Sequence, residues 1–190
     1  MIIDIGTGDG RFVFRSAERD ADSFWIGVDA NPKPLQKIST KAARKLGKGR
    51  RANAMFVHAS AEDLPEEFAR TADEIRINFP WGSLLGAVLS ADPEFLARMR
   101  QILKPEGTLT IITGIDPERD RSELERLGVE PPTRSSTGSS LVPSYAASGF
   151  RLVSFETGSA GDLRAETTWA RKLKGSPVRR FMKLAFKPLR

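Results

Sequence analysis

Apolar runs alternate with amphipathic segments through most of the chain. The apolar runs lie near residues 1–5, 24–29, 53–58, 73–79 and 107–113, and they predict strands. The intervening segments carry apolar residues at helical spacing and predict helices near residues 10–19, 33–47, 65–70, 83–103 and 117–127. Pro93 should break the fourth of these helices, because proline lacks the backbone donor that a helix needs. Strands that alternate with helices are typical of a parallel sheet, so this order predicts an α/β fold.

The last third of the chain has a different pattern. Residues 128–140 are rich in proline, serine and glycine and predict a loop, and "VPSYAASGF" predicts a short helix that ends at Gly149. Two strands should follow, "RLVSFETG" and "LRAETTWARKL", joined by the turn "GSAGD". A hairpin that closes a parallel sheet places its last strand antiparallel to the others. We therefore expect one domain over residues 1–190, with a mostly parallel seven-stranded sheet, an antiparallel last strand and helices on both faces.

The composition excludes several kinds of site. The 190 residues include no cysteine, which excludes disulfides, thiolate zinc sites and thiol nucleophiles. His58 is the only histidine, so we expect neither a histidine-based metal site nor a catalytic triad, and no metal. No apolar run approaches the ~20 residues that span a membrane. "MIIDIGTGDG" lacks the basic start of a signal peptide, which favours a cytoplasmic protein.

The charged residues are segregated along the chain. Residues 33–51 and residues 171–190 each hold eight basic residues and no acidic one, within a chain of net charge +6. The rest of the chain therefore carries a net charge of −10. An acidic body with two basic segments suits a polyanionic partner, and we interpret these segments as RNA-binding surfaces.

A glycine-rich loop follows the first predicted strand. It reads Asp4-Ile5-Gly6-Thr7-Gly8-Asp9-Gly10 and leads into a helix, an arrangement that brings a ligand close to the backbone. A dinucleotide fingerprint would need its third glycine at the position of Arg11. Asp4 would repel a pyrophosphate but suits a cofactor that carries an amino group and a sulfonium cation. The D-x-G-x-G-x-G pattern resembles motif I of the class I S-adenosylmethionine-dependent methyltransferases, which have a Rossmann-like fold.

Two further segments fit the same cofactor. Asp29 ends the second predicted strand, 23 residues after Gly6, where a carboxylate can accept hydrogen bonds from both ribose hydroxyls. "SAEDLP" places Ala61 and Glu62 after the third strand, where enzymes of this class hold the adenine. Each residue alone could be an ordinary strand-end residue, but their order together favours cofactor binding.

The fourth strand ends in Asn78-Phe79-Pro80-Trp81, at the edge where ligands bind in α/β folds. Trp81 could cap the sheet as a core residue, or its ring could hold a base removed from its stack. Ser83 could cap the next helix or contact the cofactor. Asn-x-Pro-aromatic also resembles the motif of amino-group methyltransferases, and "INFPW" resembles the tRNA guanine-N7 enzymes, although the acidic and Pro-Lys residues that follow it in those enzymes are absent.

The full set of motifs resembles a third group. "DIGTGDGRFV", "GVDA", "AEDLP", "FPWGSLL" and "TTWARKL" are similar, in order, to the 16S ribosomal RNA adenine-N1 methyltransferases that act in the decoding A site and confer aminoglycoside resistance. The resemblance implies that Trp81 and Trp169 sandwich a flipped adenine, that Thr167 helps to order this region, and that Phe79 and Pro80 line the pocket. It implies that rRNA is gripped by the basic residues Lys37, Lys41, Arg44, Lys45, Lys48, Arg171, Lys172, Arg179 and Arg180.

The resemblance also sets the expected partners and chemistry. The expected substrate is 16S rRNA in the 30S subunit, the cofactor is S-adenosylmethionine, and we expect a monomer. Adenine N1 has an in-plane lone pair, so no general base is assigned, and Asn78 would matter more if the target were an exocyclic amine. The family begins with a short β-hairpin that is absent here, so either the start is trimmed or misassigned, or docking is weakened. The alternatives are another RNA methyltransferase and a non-catalytic RNA-binding protein.

Overall fold

The computed structural model describes residues 1–46, 53–159 and 180–189, and seven strands form one sheet in this part of the chain. Their order across the sheet is β3-β2-β1-β4-β5-β7-β6. β1 to β5 pair in parallel, whereas β7 runs antiparallel to both β5 and β6. The predicted α/β sheet with one antiparallel strand is confirmed. The strands are β1 (Ile2–Ile5), β2 (Trp25–Asp29), β3 (Ala54–His58), β4 (Ala72–Asn78), β5 (Leu103–Ile115), β6 (Phe150–Ser159) and β7 (Arg180–Pro188).

Helices connect the parallel strands. They are α1 (Arg11–Arg19), α2 (Pro32–Leu46), α3 (Ser83–Ser90), α4 (Pro93–Ile102), α5 (Arg121–Leu127), α6 (Arg134–Ser136) and α7 (Val142–Ala147), with a 3-10 turn at Glu66–Phe68. The predicted break at Pro93 is confirmed. Ala91 ends α3 in the left-handed conformation at φ 53°, and the Asp92 side chain begins α4 by accepting a hydrogen bond from the Phe95 amide at 2.8 Å.

The loop predicted for residues 128–140 is wrong over its second half. Thr133 and Ser136 form a reciprocal capping box that starts α6, and a π-helical turn at Thr137–Leu141 joins α6 to α7. The Thr137 side chain is buried and donates to the Thr133 carbonyl at 2.6 Å. Hydrogen bonds between hydroxyl groups and nearby backbone groups therefore stabilise this helical segment. Its sequence lacks the apolar periodicity that normally indicates a helix.

The antiparallel strand of the sheet is β7, which pairs with β5 on one side and with β6 on the other. The strand predicted at residues 163–173 lies outside the described residues. β7 belongs to the basic segment interpreted as an RNA-binding surface, but Phe181, Leu184 and Phe186 are almost fully buried. Lys183 and Lys187 interrupt a stretch of β7 that is otherwise apolar, so the sequence did not indicate a strand there. A nearly continuous apolar run is typical of a strand that is covered on both faces.

Candidate active site

The loop between β1 and α1 is held against β2 by its backbone. The amides of Gly6 and Thr7 both donate to the Val28 carbonyl at 2.9 Å. Gly6, Gly8 and Gly10 have φ between 60° and 73°, a conformation that other residues rarely adopt. A Cβ at Gly10 would lie 2.6 Å from the Phe56 ring, so this glycine allows close packing. A Cβ at Gly8 would meet no atom within 4 Å, so the backbone there faces open space.

A cavity of about 450 Å³ lies at the carboxyl ends of β1, β2 and β4. All of the predicted cofactor-binding residues line it except Gly10, which packs beneath the loop instead. The predicted base-pocket residues Phe79, Pro80 and Trp81 line the same cavity. The cavity-lining residues from the prediction are Asp4, Gly6, Thr7, Gly8, Asp29, Ala61, Glu62, Asn78, Phe79, Pro80, Trp81 and Ser83.

Asp4 is the buried carboxylate of this cavity, with a side chain that is only 2% exposed. It accepts a hydrogen bond from Asn78 Nδ2 at 2.7 Å. Burial raises its pKa to about 6, and the nearby Asp29 carboxylate adds to the increase. The side chains of Thr7 and Asn78 and the charge of Arg76 offset part of this increase in pKa.

The Thr7 hydroxyl lies close enough to Asp4 to favour its ionised form. It nevertheless makes no well-aligned hydrogen bond with any of the described residues, although it is buried. A buried hydroxyl without a good partner is unusual, and this one lines the cavity. A polar group of a ligand could therefore complete its hydrogen bonding.

Asp29 is fixed by two backbone amides. Its Oδ2 accepts from the Gly8 amide at 2.6 Å, and its Oδ1 accepts from the Asn31 amide at 2.8 Å. Each carboxylate oxygen can accept a second hydrogen bond. The Asp29 carboxylate is thus held in a fixed orientation at the cavity wall, and both of its oxygens can accept a further hydrogen bond.

The segment after β4 has a conformation that its sequence did not indicate. Phe79 has φ 54°, and its amide donates to the Ile112 carbonyl at 2.7 Å. Its ring meets Phe181 of β7 edge-on, with centroids 5.6 Å apart. A left-handed phenylalanine costs on the order of 1–3 kcal/mol, so the surrounding contacts must hold it there. This bend turns the chain outward at Trp81.

Trp81 is 47% exposed at the cavity rim, so the interpretation of it as a core residue that caps the sheet is wrong. The next residue, Gly82, donates its amide to Glu123 Oε1 at 3.1 Å. Two hydrogen bonds of 2.8 Å from Arg126 hold Glu123 in turn. Ser83 is the first residue of α3, and Gly82 holds the N-cap position in its place, so Ser83 does not cap this helix. The sequence carried no signal for Glu123, because this contact spans 41 residues.

The predicted RNA-binding residues divide into two groups. Lys37, Lys41 and Arg44 are exposed on α2, which also contains Lys45. Arg180 is the first residue of β7. The remaining predicted RNA-binding residues lie outside the described residues, and they are Lys48, Arg171, Lys172 and Arg179. Trp169 and Thr167 also lie outside the described residues.

Over residues 1–46, 53–159 and 180–189, no helix is both long and apolar enough to cross a bilayer. Within the same ranges, no group of three or more His, Cys, Asp or Glu side chains is arranged to hold a metal ion.

Comparisons with known proteins identify the family. The family model of NpmA, described as 16S rRNA (adenine(1408)-N(1))-methyltransferase, matches residues 1–186. An enzyme of that description from Streptoalloteichus tenebrarius is 32% identical over 178 residues, which cover 93% of this chain and 81% of that protein.

Solved structures agree with this assignment. The aminoglycoside resistance methyltransferase NpmB1 is 44% identical with a TM-score of 0.83, covering 99% of this chain and 86% of that one. A variant of the 16S rRNA (adenine(1408)-N(1))-methyltransferase from Catenulisporales acidiphilia, solved with cosubstrate SAM, is 25% identical with a TM-score of 0.84, covering 100% of this chain and 85% of that one. The chain therefore belongs to the 16S rRNA (adenine(1408)-N(1))-methyltransferase family, as its motifs predicted.

Proposed function

We propose that this protein transfers a methyl group from S-adenosylmethionine to N1 of adenine 1408 in the 16S rRNA of the 30S subunit, and so confers aminoglycoside resistance. The observation that carries the proposal is the position of Trp81. Its half-exposed ring stands at the rim of a cavity whose wall holds the carboxylates of Asp4 and Asp29. A cofactor site and an aromatic platform for a base therefore share one cavity.

The cavity residues fit the cofactor. Asp4 offers a negative charge to the amino group, and the buried Thr7 hydroxyl offers a polar contact beside it. Asp29 has two oriented oxygens for the ribose hydroxyls, while Ala61 and Glu62 line the cavity where the adenine would lie. When bound, S-adenosylmethionine supplies an electrophilic methyl group on a sulfonium cation.

The residues after β4 would receive the target base. Trp81 stacks on one face of the flipped adenine, and Trp169, with Thr167 ordering its surroundings, supplies the second ring in this proposal. Phe79 and Pro80 are buried and fix the direction of Trp81. Stacking of a base on an aromatic ring contributes about 1–3 kcal/mol.

The chemistry requires positioning and no proton transfer. With the cofactor bound, the N1 lone pair would form a bond to the methyl carbon as the methyl–sulfur bond breaks, and S-adenosylhomocysteine would leave as a neutral thioether. The positive charge would pass from the sulfur to the adenine, so no base would have to remove a proton first. Holding the two reactants in this geometry and excluding water then lower the barrier. Asn78 hydrogen-bonds Asp4, which suits a role in orienting the cofactor's carboxylate partner.

The other parts of the proposal follow from the substrate. One copy of the chain acts as a single domain in the cytoplasm, where 30S subunits are found. The exposed cations of α2 and the basic residues at 171–180 contact rRNA phosphates. Phosphate contacts position a protein on its nucleic acid, whereas the base pocket selects the target.

The test is methyl transfer to purified 30S subunits from labelled cofactor, with primer extension to locate the modified nucleotide. We expect a stop at adenine 1408 with the wild-type protein. Trp81→Ala should lower transfer by about tenfold to hundredfold, the loss expected when a stacking contact is removed, with cofactor affinity unchanged. Trp169→Ala should behave in the same way.

Phe24→Ala is the matched control, because Phe24 is an exposed aromatic residue that precedes β2 at the opposite edge of the sheet. It should transfer as the wild type does. Transfer to tRNA but not to 30S would contradict the proposal, and cofactor binding without transfer to any RNA would favour a non-catalytic RNA-binding protein. Full activity of Trp81→Ala would remove the stacking role.

A further inference from the structure

A second groove, of about 910 Å³, lies between α1 and α2. Asp9 lines both this groove and the cofactor cavity, so the groove opens at the rim of the proposed active site. The charged side chains that line it are Asp9, Arg11, Arg15, Glu18, Lys33, Lys37 and Lys41. Five of these side chains are cationic and two are acidic, so the groove is positively charged.

The cations stand on both walls. Lys33, Lys37 and Lys41 follow one another at intervals of four residues on α2, and Arg11 and Arg15 repeat the interval on α1. Residues four apart share one face of a helix, about 6 Å from one another along its axis. Each wall therefore presents a row of positive charges toward the same groove.

The groove floor has an apolar element. Phe14 of α1 is buried, and the Lys41 ammonium lies 4.7 Å from the centre of its ring. This cation–π contact holds the Lys41 side chain in the groove, although the residue itself is exposed. Arg11 is paired with Asp9 at the mouth, with 3.5 Å between Arg11 Nε and Asp9 Oδ2.

A different groove of similar size provides a contrast. It is lined by Arg70, Arg98 and Arg100 near the starts of β4 and β5, at the amino ends of the parallel strands. That edge is opposite the cofactor cavity. Both grooves are therefore lined by cationic side chains. The α1–α2 groove differs in that it is continuous with the proposed active site.

We propose that the α1–α2 groove holds a stretch of rRNA phosphodiester backbone flanking the methylated adenine, with Arg11 and Arg15 of α1 as its second wall. The inference rests on the proposed function and adds to it. The charge run in the sequence indicated only α2, whereas the groove assigns phosphate contacts to α1 as well. A positively charged groove that follows the backbone toward an aromatic platform is a general way to bind single-stranded nucleic acid.

The first test uses matched charge reversals. Arg15→Glu combined with Lys33→Glu should weaken 30S binding by about tenfold or more at 0.1 M salt and reduce the magnitude of the salt slope of log K by about 2. The kcat at saturating 30S and the cofactor affinity should stay at wild-type values. The control, Arg98→Glu combined with Arg70→Glu in the remote groove, makes the same change in net charge and should bind 30S as the wild type does.

Each outcome separates the inference from the proposed function. If the wild type transfers no methyl group to 30S, the proposed function fails. If the wild type transfers and both double variants bind equally well or equally poorly, the groove has no specific role. Arg15→Gln with Lys33→Gln should give an intermediate loss of binding, and unchanged cofactor affinity in every variant shows that the fold is intact.

The absence of cysteine allows a second test of the groove's occupant. Arg15→Cys creates a unique thiol that can carry a benzophenone photocrosslinker. On 30S subunits we expect an adduct with 16S rRNA, whereas the same label on Arg98→Cys should give none. An adduct with a ribosomal protein in place of rRNA would overturn the assignment of the groove to RNA.

Discussion

The carboxylate of Asp4 must be ionised to attract a cation, yet it is almost fully buried. Burial raises its pKa from 3.8 to about 6. Between these two values the folded state binds the proton more tightly than the unfolded state does, so the free energy of unfolding falls as the pH rises through this window. At neutral pH the ionised carboxylate therefore lowers stability, by on the order of 2–3 kcal/mol.

Asp4→Asn should make the protein more stable and less active. At pH 7.5 we expect urea unfolding to show a gain on the order of 1–3 kcal/mol, and the gain should shrink as the pH falls toward 4. Affinity for S-adenosylmethionine should fall by about tenfold or more, because a hydrogen bond to a charged group is lost. Asp22→Asn, at an exposed carboxylate, should change neither quantity. A less stable Asp4→Asn variant at pH 7.5 would contradict this account.

All but one of the residues predicted to bind the cofactor line one cavity, because the sequence signals that indicated them are local. Asp4, the glycines and Asp29 stand at the ends of short strands, and parallel strands bring those ends together. Two features had no local signal, namely the Gly82–Glu123 hydrogen bond, which spans 41 residues, and the conformation of Phe79. The left-handed Phe79 depends on contacts with Ile112 and Phe181, which are distant in sequence.

At the scale of elements, β7 packs into the main hydrophobic core through Leu184 and Phe186. Its Phe186 ring stacks on Tyr145 with centroids 4.3 Å apart and meets Phe150 at 6.5 Å. Tyr145 is itself buried and donates its hydroxyl to the Val88 carbonyl at 3.0 Å, so β7, α7 and α3 are joined. Burial raises the pKa of Tyr145, which keeps the hydroxyl protonated as a donor.

Phe186→Ala should therefore be strongly destabilising. Removing a fully buried aromatic side chain costs about 3–5 kcal/mol, and the loss should appear as a lower urea midpoint with an unchanged slope. Leu189→Ala, at an exposed position one residue after β7, is the control and should change stability by less than about 0.5 kcal/mol. Equal midpoints for the two variants would show that β7 does not support the core.

The position of β7 could not be derived from composition. Two lysines within nine residues suggested an exposed segment, but Lys183 pairs with Glu156 at 3.2 Å and Lys187 with Glu106 at 3.7 Å. Both carboxylates are exposed, so each lysine can reach water while its strand stays covered. The sequence shows the two lysines of β7, but it does not show that Glu156 and Glu106 are their ion-pair partners.

At the scale of the whole molecule, the charged groups proposed to bind the cofactor and those proposed to bind rRNA differ in their exposure to solvent. Asp4, which we propose as a cofactor ligand, is buried, whereas Lys37, Lys41 and Arg44 of α2 are exposed. Salt screens exposed charges much more than buried ones. Recognition of the large polyanion and recognition of the small cation should thus respond differently to ionic strength.

Raising salt from 50 to 200 mM should lower kcat/KM for 30S subunits by about two to three orders of magnitude, the range expected for about five or more phosphate contacts. Over the same range, S-adenosylmethionine affinity measured by calorimetry should change by less than about threefold. A parallel fall in both quantities would show that salt acts on the fold or on the cofactor site.

The order of strands in the sheet also constrains how the chain assembles during synthesis. β6 is synthesised before β7, but in the described sheet β7 lies between β5 and β6. Until the ribosome has synthesised residues 180–188, β5 and β6 both lack the strand that joins them in the described sheet. Pairing that waits for a distant segment is slow and leaves apolar edges exposed. The nascent chain is therefore a candidate for chaperone binding during the interval between β6 and β7.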